Sequence, residues 1–441
     1  MKIAIIGGAG VRVPLLVRGL VHSDLGITDV ALFDPDEGRL RIIADLARRA
    51  IDPGTPEPRN LGTASVVAHD RPESAIEGAD FVITSIRVGG SGQRARDEAT
   101  AISHGVVGQE TVGAAGFAMA VRAIPPMVEY ARMTARLAPG AWFINFTNPV
   151  SVVTQAVRQE SDARAIGICD TPFEVCEDAA HAVGVPATEC AYDYFGLNHL
   201  GWLREIYYRG VPQLHRLWDD PARLASAYRD SLFEVERLQR LRLLPTEYLY
   251  YYYRPELALE NTRKAGTSRG AVVAALTDDL FKDLSNGVRD PKTRYEQYLA
   301  ARDSSYLQTE TGSTAPRIKP VWAELSGYDK IALMTMRGIV HDTGDVIPLD
   351  VTNDGNFPFL RSKDVIEVPC AVGRNGPRAL HVAPIPEHCE LLITQVKEYE
   401  RATVAAALSG TREDRVRALR LSPLGGEPER APDLIDALMP S

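Results

Sequence analysis

Over the first 196 residues, apolar positions come in short β-branched blocks set between longer stretches with helical spacing. Lys2–Ile6 is such a block and ends in Gly7-Gly8-Ala9-Gly10. Apolar residues then recur at helical intervals from Pro14 to Leu20, so the chain reads as strand, glycine turn, helix. Further strands are predicted at Asp29 to Phe33, Asp80 to Ile86, Ala141 to Asn145 and Ala165 to Ile168. Helices lie between them, among them Pro125 to Arg136 and Pro149 to Gln159. Nearly all-apolar strands alternating with helices predict an α/β fold with a doubly wound, Rossmann-like parallel sheet covered on both faces. After residue 196 the texture is α+β. Charged helical stretches are predicted at about Pro221 to Leu243 and Gly270 to Leu284, an isolated strand at Lys330 to Met336, and a turn-rich, then strand-like segment from Asp350 to Val368. The Pro-, Gly- and charge-rich end, Ser422 to Ser441, reads as a loosely held tail. Two domains are expected, 1–196 and 197–441, with no internal repeat.

Composition narrows the class. A chain of 441 residues has room for two or three domains at roughly 150 residues each. With 45% hydrophobic and 24% charged residues it is neither disordered nor fibrous. A net charge of −9 with no local basic patch argues against nucleic acid as a partner. The five cysteines (169, 176, 190, 370, 389) are odd in number and include no Cys-x-x-Cys pair, which predicts free thiols in a reducing compartment. The apolar run before Gly7 is too short for a signal-peptide core, and no stretch reaches the roughly 18 apolar residues of a membrane span, so the expectation is a cytoplasmic protein.

Several constellations carry chemistry. A glycine turn between a first strand and a first helix lets backbone N–H groups meet a pyrophosphate, and Gly7, Gly8 and Gly10 sit there. Val13 stands where a third glycine would complete the motif, which by itself is weak. Asp34, at the end of the second strand, is placed to accept from a ribose hydroxyl. It points to a dinucleotide, NAD rather than NADP. Arg87, Arg94 and Arg96 follow a strand at the sheet's ligand-binding edge and read either as an anion grip or as a solvated basic loop. The loop Gly105 to Thr111 offers polar side chains between glycines. Asn145 and Asn148 end a strand, where the commoner role is to cap the next helix. Cys169 with Asp170, and His199 in Gly196-Leu-Asn198-His199-Leu-Gly-Trp202, lie at further strand ends. A lone Cys or His is ordinarily core filler or a surface polar group, but together they offer an N/S pair to a divalent metal. The tyrosines at 248 and 250–253 read as packing, since a tyrosinate base needs a cation to lower its pKa from near 10.

Taken in order, these motifs resemble glycoside hydrolase family 4, most of all its 6-phospho-β-glucosidase branch. The likeness runs over nearly the whole chain, through Ile86-Arg-Val-Gly-Gly90, Gly105-Val-Val-Gly-Gln-Glu-Thr111, Asn145-Phe-Thr-Asn-Pro149, Gly167-Ile-Cys169, Tyr248-Leu-Tyr-Tyr-Tyr252 and Val365-Ile-Glu-Val-Pro-Cys370. It implies NAD at Gly7, Gly8, Gly10, Asp34 and Arg87, and Mn²⁺ or another divalent metal held by Cys169 and His199. It implies a mechanism outside the usual paired-carboxylate scheme. Hydride leaves C3, a tyrosine takes the C2 proton, the aglycone is eliminated from C1, water adds, and hydride returns. Tyr248 is the implied base, with Tyr251 or Tyr252 as alternatives, and Asp170 the group that protonates the leaving oxygen. Arg94, Asn148, Asn198 and Arg302 are the implied substrate contacts, Arg94 meeting a 6-phosphate.

The chain departs from the pattern in two places. Arg302-Asp303-Ser-Ser-Tyr306 replaces a segment without the acid, and Asp303 would repel a phosphate if it faced the pocket. Asp170 stands where many phospho-β-glucosidases carry Asn, which leaves the anomer open, while Leu200-Gly-Trp202 leans towards β. The competing readings are α-linked or non-phosphorylated glycosides, a metal-independent dehydrogenase of the lactate/malate class, and a silent nucleotide sensor. A thiolate ligand speaks against the second of these, and the intact site positions speak against the third. Apolar, tyrosine-rich helices in the second half suggest a homodimer or homotetramer.

Overall fold

The computed structural model describes residues 1–51, 64–228, 232–312 and 327–440. The first strands are β1 (Lys2–Ile6), β2 (Asp29–Phe33), β3 (Ser65–His69), β4 (Phe81–Thr84), β5 (Trp142–Asn145) and β6 (Arg164–Gly167). They pair in parallel in the order β3-β2-β1-β4-β5-β6, the expected doubly wound arrangement. Ile3, Ala4 and Ile5 of β1 and Val82 and Ile83 of β4 are fully buried, as strands covered by helices on both faces require. Each large apolar side chain so buried contributes about 1.5–3 kcal/mol.

The sheet does not stop there. The remaining strands are β7 (Cys190–Leu197), β8 (Leu200–Tyr208), β9 (Val211–Pro212), β10 (Leu244–Pro245), β11 (Asp345–Thr352), β12 (Val365–Gly373) and β13 (Gly376–Ala379). Among the described residues they extend the same sheet to 13 strands through the antiparallel series β6-β11-β12-β7-β8-β10. The joins are narrow: Asp350 of β11 pairs with Gly167 of β6, and Glu367 of β12 with Gly196 of β7. Position 196 therefore lies inside a strand. The ends of β6 and β7, which carry Cys169 and His199 just beyond them, come together because β11 and β12 bridge them.

Four sequence expectations need correction. Lys330 to Met336 is not a strand but part of the helix Tyr328–His341. Its buried residues Ile331, Met336 and Ile339 show a helical period only when the window extends past Met336. The helix expected from Pro125 runs Gly113–Leu137 with Pro125 and Pro126 inside. Its buried stretch from Ala114 to Val121 outweighs the roughly 3 kcal/mol that an interior proline costs. The stretch from Pro221 to Leu243 is not one helix, as Pro221–Ser226 and Val235–Leu241 are separate; residues 229–231 lie outside the described residues. The end of the chain is anchored, not loose. Helix Ala431–Leu438 buries Ala431, Leu434, Ile435 and Leu438.

Candidate active site

The glycine turn is shaped by packing. The N–H groups of Gly7 and Gly8 donate to the Phe33 carbonyl at 3.0 and 2.8 Å, and that of Gly10 to the Gly7 carbonyl at 2.9 Å. Gly7 has φ +94°, and a Cβ there would collide with the Ser85 carbonyl oxygen, so only glycine lets β1 and β4 end side by side. Asp34 accepts from the N–H of Ala9 (3.2 Å) and of Asp36 (3.0 Å), which ties the end of β2 to the turn. Burial raises the Asp34 pKa against these hydrogen bonds. A turn opening onto a helix start, with a carboxylate fixed beside it, fits a dinucleotide's pyrophosphate and ribose.

Cys169 follows β6, and His199 forms the tight turn between β7 and β8 at φ 62°, a left-handed conformation that few non-glycine residues adopt. Cys169 Sγ and His199 Nε2 are 3.6 Å apart. Metal bonds of about 2.1 Å to nitrogen and about 2.3 Å to sulfur span that gap, so the pair could share a single ion. Burial holds the His199 imidazole down at about 3, which keeps it neutral and able to ligate. Burial, then the carboxylates of Asp170 and Glu367, push the Cys169 thiol well up, so its proton leaves only when a cation takes its place. Among the described residues no third His, Cys, Asp or Glu completes a protein metal cage. Further ligands would have to come from substrate or water.

Beside this pair opens a cleft lined by Asp170, Asn148, Tyr248, Arg94, Arg269 and Arg302, among others; Cys169 and His199 are not themselves in its lining but adjoin it through Asp170 and Tyr248. The Tyr248 ring stacks on the His199 ring, centroids 3.7 Å apart and planes within 10°. Its hydroxyl lies 3.4 Å from that of Tyr306, which donates to Glu247. Asp170 Oδ1 is 3.9 Å from Cys169 Sγ. Asn148 Oδ1 is buried without a hydrogen-bond partner among the described residues, an acceptor available to a sugar hydroxyl. Burial pushes Tyr251 well above the ordinary tyrosine range and raises Tyr252 as well, which opposes the phenolate that either would need in order to act as a base.

The arginines divide. Arg94 is buried, with its guanidinium 2.8 Å from Glu98 and 2.9 Å from Glu110. Arg87 pairs with Glu110 as well. Burial opposes Glu110's ionisation, yet Arg87 and Arg94 hold its pKa down at about 2. Arg269 donates to Ser305 Oγ and, at 2.9 Å, to the Arg302 carbonyl, and Arg12 stands 3.5 Å from Asp303. Asp303 does line the cleft, but with a cation beside it. Asn198 donates to Glu367 at 3.1 Å and is not among the cleft-lining residues. Glu98, Glu110, Arg12 and Arg269 have no role in the sequence-level site. The only signal for Glu110 is its place in a loop of polar residues between glycines.

This constellation belongs to a class of enzyme rather than to a plain nucleotide-binding fold. Family models for family 4 glycosyl hydrolase and for the family 4 glycosyl hydrolase C-terminal domain match residues 2–185 and 194–425, so the chain belongs to glycosyl hydrolase family 4. It is 30% identical to a 6-phospho-beta-glucosidase of Escherichia coli strain K12 over 96% of this chain and 91% of that one. It is 26% identical to a 6-phospho-alpha-glucosidase of Leptotrichia buccalis, over 96% and 93%. The 6-phospho-beta glucosidase structure from Thermotoga maritima with manganese, NAD+ and glucose-6-phosphate matches with a TM-score of 0.80 at 27% identity, covering 100% of this chain and 97% of that one.

Proposed function

We propose that this chain hydrolyses 6-phospho-β-glucosides with NAD and a divalent metal, Mn²⁺ by preference. The observation that carries the reading is the 3.6 Å pairing of Cys169 Sγ with His199 Nε2, in contact with Asp170 and Tyr248, which line the neighbouring cleft. The named activities of the relatives support the substrate class, and the ligands named with the Thermotoga maritima structure support both cofactors.

When bound, NAD supplies a reversible hydride acceptor for the sugar's C3, and the metal a Lewis acid for the oxygens beside it. The chain's residues do the rest. Cys169 and His199 seat the ion. Gly7, Gly8, Gly10 and Asp34, with Arg87 at the sheet edge, hold the dinucleotide. Asn148 accepts from a sugar hydroxyl. Arg302 and Arg269 meet the 6-phosphate together with Arg12, while Arg94, already matched by Glu98 and Glu110, shapes the wall beside the sugar. Asn198 steadies the His199 turn through Glu367. Tyr248 would take the C2 proton, and a cation seated by Cys169 and His199 would favour the phenolate it needs to do so. Asp170 protonates the departing C1 oxygen. Tyr248 would then give its proton back to C2 while the Asp170 carboxylate takes one from the water that adds at C1, so both residues end as they began.

The test is a set of parallel assays on p-nitrophenyl α- and β-glucosides, each with and without a 6-phosphate, in the presence of NAD⁺, Mn²⁺ and a reductant. The β-linked phosphate should be turned over fastest, and activity should vanish with EDTA and in Cys169→Ser. Full activity after chelation, or equal rates on the non-phosphorylated glucoside, would overturn the reading.

A further inference from the structure

We propose that Gln109 and Thr111 form a relay that fixes the tautomer of His199, so that its Nε2 lone pair always faces Cys169. The inference rests on the metal reading of that pair. It is carried by the direction of hydrogen bonds in a buried chain of three side chains, each less than a tenth exposed.

Gln109 Oε1 receives the backbone N–H of Thr111 at 2.6 Å and of Val112 at 3.0 Å. Both are donors that cannot reverse, so the atom facing them is the amide's oxygen and not its nitrogen. The same oxygen lies 2.7 Å from Thr111 Oγ1 and, having no proton of its own, can only accept from that hydroxyl. The hydroxyl's single proton is thereby committed to Gln109. Thr111 Oγ1 is also 2.9 Å from His199 Nδ1, and in that contact it has only a lone pair to offer. The proton between them must sit on Nδ1. In a neutral imidazole one nitrogen carries the proton and the other a lone pair, so Nε2, 3.6 Å from Cys169 Sγ, is left as the ligating atom.

Without the relay, the hydroxyl could turn its proton to Nδ1, and the ring would carry its own on Nε2, pointing a hydrogen at the place of the ion. Partners of this kind set ligand orientation and basicity, and losing one costs about 10–100-fold in metal affinity. Thr111 and Gln109 are thus positioning residues: they act through His199. The arrangement also accounts for two polar side chains buried in the loop from Gly105 to Thr111.

The test uses the full-length protein and Mn²⁺ alone, followed by electron paramagnetic resonance of the free ion. Thr111→Val keeps the side chain's shape and removes the hydroxyl; Mn²⁺ affinity should drop about 10–100-fold, and Thr111→Ser should restore it to within about threefold. Gln109→Met, which frees the hydroxyl to reverse, should also weaken binding. A second readout needs neither metal nor mutation of the relay. In metal-free protein labelled with ¹⁵N-histidine, the signals lost in His199→Gln should report a protonated Nδ1 and a bare Nε2. Unchanged Mn²⁺ affinity in Thr111→Val, or a protonated Nε2 in the unmutated protein, would overturn the relay. Failure of the unmutated protein to bind Mn²⁺ would overturn the metal reading instead, with the nitrogen spectrum still deciding the tautomer. The spectrum decides it too if Thr111→Val does not fold.

Discussion

At the scale of single residues, charge compensation organises the site more than charge itself. Glu110 is largely buried and would favour its neutral form, but the guanidiniums of Arg87 and Arg94 keep it ionised. The consequence is a defined dependence on pH. Its folded-state pKa, about 2, lies below the ordinary 4.5, so its contribution to stability is complete above pH 4.5 and is lost as pH falls towards 2. At 1.36 kcal/mol per pH unit the loss across that window is on the order of 3 kcal/mol. Glu110→Gln should be less stable at neutral pH and show a flatter acid limb in urea titrations repeated between pH 4.5 and pH 2. Parallel limbs for the two proteins would show that Glu110 is not the ionised partner described here. Cys169 and His199 could be picked out at strand ends as an N/S pair on offer to a metal, whereas the Tyr248 cluster read as packing and only the family resemblance gave that residue a role. Glu110 and Arg269 were not legible, since their partners, Arg87 and Arg94 for the one and Arg302 for the other, come from separate segments and no local pattern announces the pairing.

At the scale of elements, the glycine turn shows how a functional feature is enforced by packing. The sequence places Gly7 where a cofactor would approach, but the structure sets its side towards Ser85 and gives it φ +94°. Gly7→Ala should therefore cost more than about 2 kcal/mol in denaturant unfolding, from backbone strain and overpacking together. Gly38→Ala, in the helix Glu37–Ala50 with only an ordinary contact to Asp36, should be neutral or slightly stabilising. Equal effects at the two positions would remove the packing argument. Elements with a clean period, such as β1 and the helix Arg269–Ser285, could be read from the chain. Tyr328–His341 and Ala431–Leu438 could not, the first because a short apolar run fits either period, the second because Pro, Gly and charged residues before it mask an amphipathic turn.

At the scale of the whole molecule, a sheet that runs unbroken through both halves is what brings Cys169 and His199 to one place. The parallel half was legible from alternating strands and helices. The antiparallel extension was not, because a turn-rich, then strand-like segment does not tell that Asp350 joins β11 to β6 and Glu367 joins β12 to β7, where the two lie buried in register opposite each other. Among the described residues, no helix is long and apolar enough to cross a membrane. Tyr248 follows β10 on the far edge of the same sheet and stacks on the ring of His199, so the proposed base and the proposed ligand sit on one sheet. The central claim is that this arrangement takes a proton from carbon 2 of the sugar. Turnover of p-nitrophenyl β-glucoside 6-phosphate deuterated at C2, set against the protiated substrate and followed by NMR of the product in ordinary water, tests it directly. A primary isotope effect, or deuterium lost from C2 to solvent, is the expected result. Identical rates with deuterium fully retained at C2 would contradict the account.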